Sequence, residues 1–225
     1  MNDHIYEELK KRIVLLQYPP GHSLQEKDLA REFGVSRTPV RKALMRLEWD
    51  KLVTILPRAG VVVAGIDFKK LMEVYHVRIS VEGMIGRLAA VHITREQLAR
   101  LRELAIRLQG LKESGSIEEL ILIDLEFHDI IFAASNNKIL EDVGSYLFCN
   151  TIRLWYWSFD KSNLEELVDD EVEEINATAA VLEKGDPDEA EQYRRGIIVH
   201  TINKLNRHLL QKVGAAEGQG VAGAR

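Results

Sequence analysis

Gly34 and Pro39 stand five residues apart in EFGVSRTPVRKALMRL, residues 32–47, and between them they leave the chain few ways to run. A glycine closes a helix because it takes the left-handed backbone at no steric cost. A proline in the first turn of the next helix costs nothing, since no intrahelical amide donor is needed there. Ser36 falls between them, where a hydroxyl accepts from a free amide of the helix it opens. Val40, Leu44 and Leu47 then repeat as a buried stripe. The stretch therefore reads as helix, tight turn, helix.

The flanks extend this unit. Ile5, Leu9, Ile13 and Leu16 repeat at helical spacing, which predicts a helix over ~3–17, and YPPGHSL ends it. A short helix follows at ~25–33. Downstream, KLVTILPRAGVVVAG sets β-branched residues on both sides of a Pro/Gly turn, which predicts strands at ~52–56 and ~61–64. Helices followed by a hairpin within 65 residues make a winged helix-turn-helix.

Beyond Gly65 no further hairpin signal occurs. Asp67 can cap a helix through ~91. TREQ at 94–97, SIEE at 116–119 and SNLE at 162–165 match the capping box and open helices at ~95–113, ~117–133 and ~163–184. SNN at 135–137 precedes a helix at ~138–159, and GDP at 185–187 precedes one at ~187–212. The expected fold is mainly α, with a winged helix-turn-helix over 1–65, an all-helical bundle of about six helices over 66–212, and a disordered tail over 213–225 that lacks large apolar groups.

Charge divides the same way. Residues 1–65 hold 11 Lys/Arg against 8 Asp/Glu, whereas the remainder holds 19 against 27. A basic front and an acidic back suit an anionic partner for the first part only. No apolar run reaches the ~18 residues of a membrane span. MNDHIYEELKK lacks a signal-peptide core, and the single Cys149 rules out an internal disulfide. The chain reads as cytoplasmic.

A helix-turn-helix presents the start of its second helix to base edges in the major groove. Here that start carries Ser36, Arg37, Thr38 and Arg41, and the two arginines share a face. Arginine grips a guanine edge through two hydrogen bonds, and Ser or Thr binds phosphate. Lys27 stands where it meets backbone phosphate. Arg58, at the hairpin tip, reaches the adjacent minor groove, with Gly60 allowing close approach. The alternative is a solvated helix whose arginines form surface pairs.

LQEKDLAREFGVSRTPVRKALMRLEWDKLVTILPRAGVVV resembles the DNA-binding domain of the GntR family of bacterial transcription regulators, over residues ~3–65. The resemblance implies that Lys27, Ser36, Arg37, Thr38, Arg41, Arg58 and Gly60 face DNA. VRISVEGMIGRLAA at 77–90, DLEFHDIIFAASNNKIL at 124–140 and the closing helices are similar to the FadR-type effector domain, the FCD domain, over ~67–212. The resemblance implies a homodimer on a palindromic operator, controlled by a small carboxylic acid, and a repressor. It implies effector contacts from Arg78, Asn137 and Arg153. An ion pair of Arg78 with Glu82, one turn on, is the alternative.

Asp124 and His128 share a helix face and suit one divalent ion such as Zn²⁺, or else a simple hydrogen bond. The family adds two histidines from the last two helices. Here Ile175 falls at the first position and Ile197 near the second. His200 is one turn further on, so Asp124, His128 and His200 are an incomplete set, with Glu174 and Asn176 as substitutes. Two rival functions are open to this sequence: a metal-dependent enzyme on Asp124 and His128, and a DNA-tethered interaction module without a small effector. No nucleophile motif or poised base supports the enzyme.

Overall fold

The structure, a computed structural model, describes residues 2–56, 60–158 and 164–222, and the side chains among them except those of residues 2, 114 and 209–222. The chain divides into two compact units. The first is Met1–Leu71 with Cys149–Leu154, and the second is Met72–Phe148 with Trp155–Arg225.

The first unit contains α1 (Asn2–Val14), β1 (Ser23–Leu24), α2 (Glu26–Glu32), α3 (Arg37–Trp49), β2 (Val53–Leu56) and β3 (Gly60–Val63). The turn between α2 and α3 forms as the glycine requires. Gly34 has φ +64°, the Val35 amide donates to the Ala30 carbonyl at 3.0 Å, and the Gly34 amide donates to Arg31 at 3.3 Å. That is the paired closure of a Schellman motif. Ser36 takes the N-cap backbone position of α3, but its hydroxyl makes no capping bond, contrary to the sequence expectation.

The hairpin pairs Val53 with Val63 and Leu56 with Gly60. A third strand, β1, pairs Ser23 with Val62 and Leu24 with Val61, giving the order β1-β3-β2. Two residues are too short for a periodicity signal, so this strand is not legible in the sequence. The core joins Ile5, Leu9 and Ile13 of α1 to Val40, Leu44 and Leu47 of α3 and to Val61 and Val63 of the sheet. Alternate residues of β3 thus turn inward, as the pleat requires. Arg153 belongs to this unit. Its guanidinium donates to the Ala64 carbonyl at 2.9 Å, and burial pulls its pKa down to about 10.

The second unit holds most of α4 (Phe68–His92), α5 (Arg95–Ser114), α6 (Ile117–Ala134), most of α7 (Lys138–Ser158), α8 (Leu164–Lys184) and α9 (Pro187–Ala222). The caps at Asp67 and Thr94 work as their sequences predict, and Ser116 forms its half of the predicted box. Thr94 and Gln97 exchange both bonds of the capping box, Ser116 accepts from the Glu119 amide, and Asp67 accepts from Lys70 at 3.2 Å. Ser162 lies outside the described residues. α9 runs past residue 212, where the sequence predicts an unstructured tail. Among the described residues no helix is long and apolar enough to cross a membrane.

An ion network lies inside this bundle. Glu82 of α4 accepts from Arg78 at 2.7 Å through one oxygen and from Arg194 of α9 at 2.7 Å through the other. Arg194, 1% exposed, also donates to Glu174 of α8 at 3.0 Å. Burial by itself would raise the Glu82 pKa, because it disfavours the charged form. The charges of Arg194 and Arg78, aided by His128, overcome that and hold it at about 2. The contribution of this carboxylate is therefore fully present above the ordinary 4.5 and is lost as pH falls toward about 2. Glu82→Gln removes the anion that lies between two buried guanidinium groups, of which Arg194 keeps Glu174. It should cost on the order of 3–5 kcal/mol at pH 7 in denaturant unfolding, with the difference from the parent shrinking as the pH is lowered toward 2.

Candidate functional site

In the first unit the recognition end of α3 is exposed. Ser36, Arg37 and Thr38 lie on the surface while Val40, Ala43, Leu44 and Leu47 fill the core behind them. Lys27, in the first turn of α2, is exposed as well. Arg41 spends its fork on Glu26: Nε donates to Oε1 at 3.0 Å and Nη2 to Oε2 at 2.9 Å. These bonds lower the Glu26 pKa, with a smaller contribution from Arg37. The pair is solvent-exposed, so it holds Arg41 only weakly. Arg46 donates to Asp3 at 2.8 Å and stacks 3.8 Å from the Tyr6 ring centroid, so it braces α1 against α3. Gly60 has φ +105°, a conformation that side chains rarely adopt. Arg58 lies outside the described residues.

In the second unit Asp124 and His128 sit on one buried face of α6. His128 Nδ1 donates to the Asp124 carbonyl at 3.0 Å and lies 2.9 Å from Asp124 Oδ1, which accepts no hydrogen bond. The imidazole stacks on Phe148, with ring centroids 3.7 Å apart, and meets the edges of Phe127 and Phe132. Asp124 Oδ2 accepts from the Tyr156 hydroxyl at 2.9 Å, and burial with the nearby carboxylates pushes that phenol well up.

These residues do not make a metal cage. Ile175 is fully buried aliphatic surface where a third donor would stand, and His200 is exposed. Among the described residues no group of three His, Cys, Asp or Glu side chains could hold a metal ion. A structural divalent site needs about four donors, so the donor set does not fit one.

All three expected effector contacts are engaged within the chain. The Arg78 guanidinium pairs with Glu82, the second of its two open roles, and lies 5.2 Å from the Phe148 ring centroid. Asn137 is exposed, and its Oδ1 accepts from the Ile139 and Leu140 amides at 3.1 and 3.2 Å, which caps α7. Arg153 lies in the first unit, on Ala64.

A cavity of about 240 Å³ opens between α7, α8 and α9. α8 lines it with Asp170, Glu171, Glu173 and Glu174, and α7 adds Trp155. From α9 come Tyr193, Ile197, His200 and Lys204. The Lys204 ammonium pairs with Asp170 and, at 3.0 Å, with Glu166, and lies 6.0 Å from the Trp155 ring centroid. Glu171 is only 6% exposed. Trp155 donates to its carboxyl, yet its Oε2 has no hydrogen-bond partner. Burial first, then Asp124 and Glu174, push this carboxyl well above its ordinary range, although Arg194 pulls the other way.

Sequence reasoning names His200 and, as a substitute ligand, Glu174, but misses Glu171, Trp155 and Tyr193 as a group. The available signal is DDEVEE at 169–174, whose positions 170, 171 and 174 share a helical face. A raised carboxyl pKa means that the folded state keeps a proton which the unfolded chain has released, so this group subtracts stability as pH rises above 4.5. Glu171→Gln should therefore melt higher than the parent at pH 8, with the gain fading as the pH is lowered toward 4.5.

Residues 1–63 match the family model described as bacterial regulatory proteins, gntR family, and residues 73–200 match the FCD domain. The chain is 30% identical over 163 residues to the HTH-type transcriptional regulator McbR of Escherichia coli K12, covering 72% of this chain and 74% of that protein. It is 28% identical to the HTH-type transcriptional repressor RspR of the same organism, covering 75% and 74%. The solved structure of E. coli McbR/YncC superposes with a TM-score of 0.79 at 26% identity, covering 92% of this chain and 98% of that one.

Proposed function

Because the chain belongs to the GntR family of bacterial transcription regulators and carries an FCD domain, which makes it a regulator and not an enzyme, we propose that it binds a palindromic operator as a homodimer and is controlled by a small molecule in its helical unit. The observation that carries the DNA reading is the exposed start of α3, where Ser36, Arg37, Thr38 and Arg41 stand clear of a well-packed core. Such a face suits two arginines that read base edges beside hydroxyls that meet phosphate. The Ser36 hydroxyl, which makes no capping bond, is available for that contact. A guanine contact worth ~1–3 kcal/mol outweighs the exposed Glu26–Arg41 pair, so Arg41 can leave Glu26 for DNA.

Three exposed apolar residues of α4, Val77, Met84 and Val91, recur every seven positions, which supports a helix-to-helix dimer contact. Operator palindromy would then mirror the two-fold axis. The effector reading is supported by the cavity of the helical unit. A ligand there changes operator binding only by its differential affinity for two states of the protein. The relative RspR is a repressor, and we extend that role to this chain. The donor set gives a metal no part in this reading.

Mobility shifts on the region upstream of the protein's own gene test the DNA contacts. Arg37→Ala and Arg41→Ala should each weaken binding by roughly 5- to 150-fold, corresponding to ~1–3 kcal/mol, and Lys27→Ala should weaken it on all sequences and reduce the salt slope by about 1. Unchanged affinity in both arginine variants would remove the assignment. In sedimentation equilibrium, Met84→Asp should shift the protein from dimer toward monomer.

A further inference from the structure

Resting on the reading that the helical unit holds an effector, we infer that its cavity takes a small organic cation, an amine whose ammonium group meets Glu171, and not the carboxylic acid that the family resemblance implies. Charge is the first argument. α8 lines the cavity with four carboxyl groups, whereas the one lysine there is already engaged by Asp170 and Glu166. Asp170 and Glu174 are paired with Lys204 and Arg194, so an entering carboxylate would meet the Glu173 and Glu171 carboxyl groups, with no cation among the described lining residues left to receive it. Arg78, the clamp expected for an acid, is not among the lining residues and is held by Glu82.

The second argument is the state of Glu171 itself. More than nine-tenths of this side chain is buried, it lines the cavity, and its Oε2 accepts no hydrogen bond. A buried carboxyl oxygen without a hydrogen-bond partner is costly in either protonation state, and an entering cation favours the ionised one. An ammonium supplies three donors and a compensating charge. The third argument is the aromatic lining. Trp155 and Tyr193 border the same space, and ring faces attract organic cations. The Lys204 ammonium beside Trp155 shows that the site tolerates such a group. A bare divalent ion is disfavoured, because the described carboxylates form no group of three donors.

The experiment uses the full-length protein and a chain-matched set of pentylamine, 1,5-diaminopentane, 5-aminopentanoate and pentanoate. Melting shifts and titration calorimetry are read for the parent, for Glu171→Gln and for Ile197→Trp, which fills the cavity without changing charge. The amines should raise the melting temperature and pentanoate should not. Glu171→Gln should weaken amine binding about tenfold or more, and Ile197→Trp should abolish it. A melting transition for each free variant shows that it is folded, and the two variants reach the site by independent routes. The inference is overturned by pentanoate binding in preference to the amines, by no amine binding at millimolar concentration, or by amine binding that neither variant changes. Mobility shifts with the same ligands separate it from the parent reading. Pentanoate releasing DNA while amines do nothing would keep effector control and remove the cation. Amine binding that depends on Glu171 but leaves operator affinity unchanged would keep the cation site and remove effector control.

Discussion

Glu82 sits between two buried arginines, and the helical unit is arranged around that one carboxylate. It lies on α4, while Arg194 reaches it from α9 and bridges to Glu174 on α8. Buried ion pairs seldom add much net stability over an apolar replacement, since desolvation offsets attraction. Breaking one is another matter, because the charge left behind has no water. The network therefore acts as a constraint on register. Arg194 must face inward at the level of Glu82, and this sets which faces of α8 and α9 border the neighbouring cavity.

The same chemistry explains why Glu171 differs from Glu82. Both carboxyl groups are buried. Two guanidinium groups hold Glu82 ionised, while Glu171 lies near Asp124 and Glu174 and is pushed toward its protonated form. Asp124 is itself committed to Tyr156 and lies against His128. The pairing of Asp124 with His128 suits either a metal or a hydrogen bond at sequence level; here the ring stacks on Phe148 and donates to a main-chain carbonyl, while Asp124 Oδ1 accepts no hydrogen bond.

Much of the fold is legible because its signals are local. Gly34 and Pro39 force the turn between α2 and α3, and the Thr94 capping box starts α5. β1 is not legible, since two residues carry no period and exist as a strand only by pairing with β3. Ser36 shows the reverse case. Its position as a cap is readable, but whether its hydroxyl turns to the helix depends on a rotamer that the sequence does not specify.

For the sites the division is sharper. The sequence by itself determined a winged helix-turn-helix ahead of an acidic helical bundle, and it placed Ser36, Arg37, Thr38 and Arg41 at one helix start, because turn chemistry and helical period act over a few residues. Only the tertiary structure decided what Arg78, Asn137 and Arg153 do. Each is a good ligand-binding residue on paper, and each finds its partner inside the chain: Glu82, the first amides of α7 and the Ala64 carbonyl. Only the tertiary structure, too, gathered Trp155, Glu171 and Tyr193 from three helices around one cavity. Burial and pairing between distant segments set the charge and availability of a side chain, and neither is written in its neighbours along the sequence.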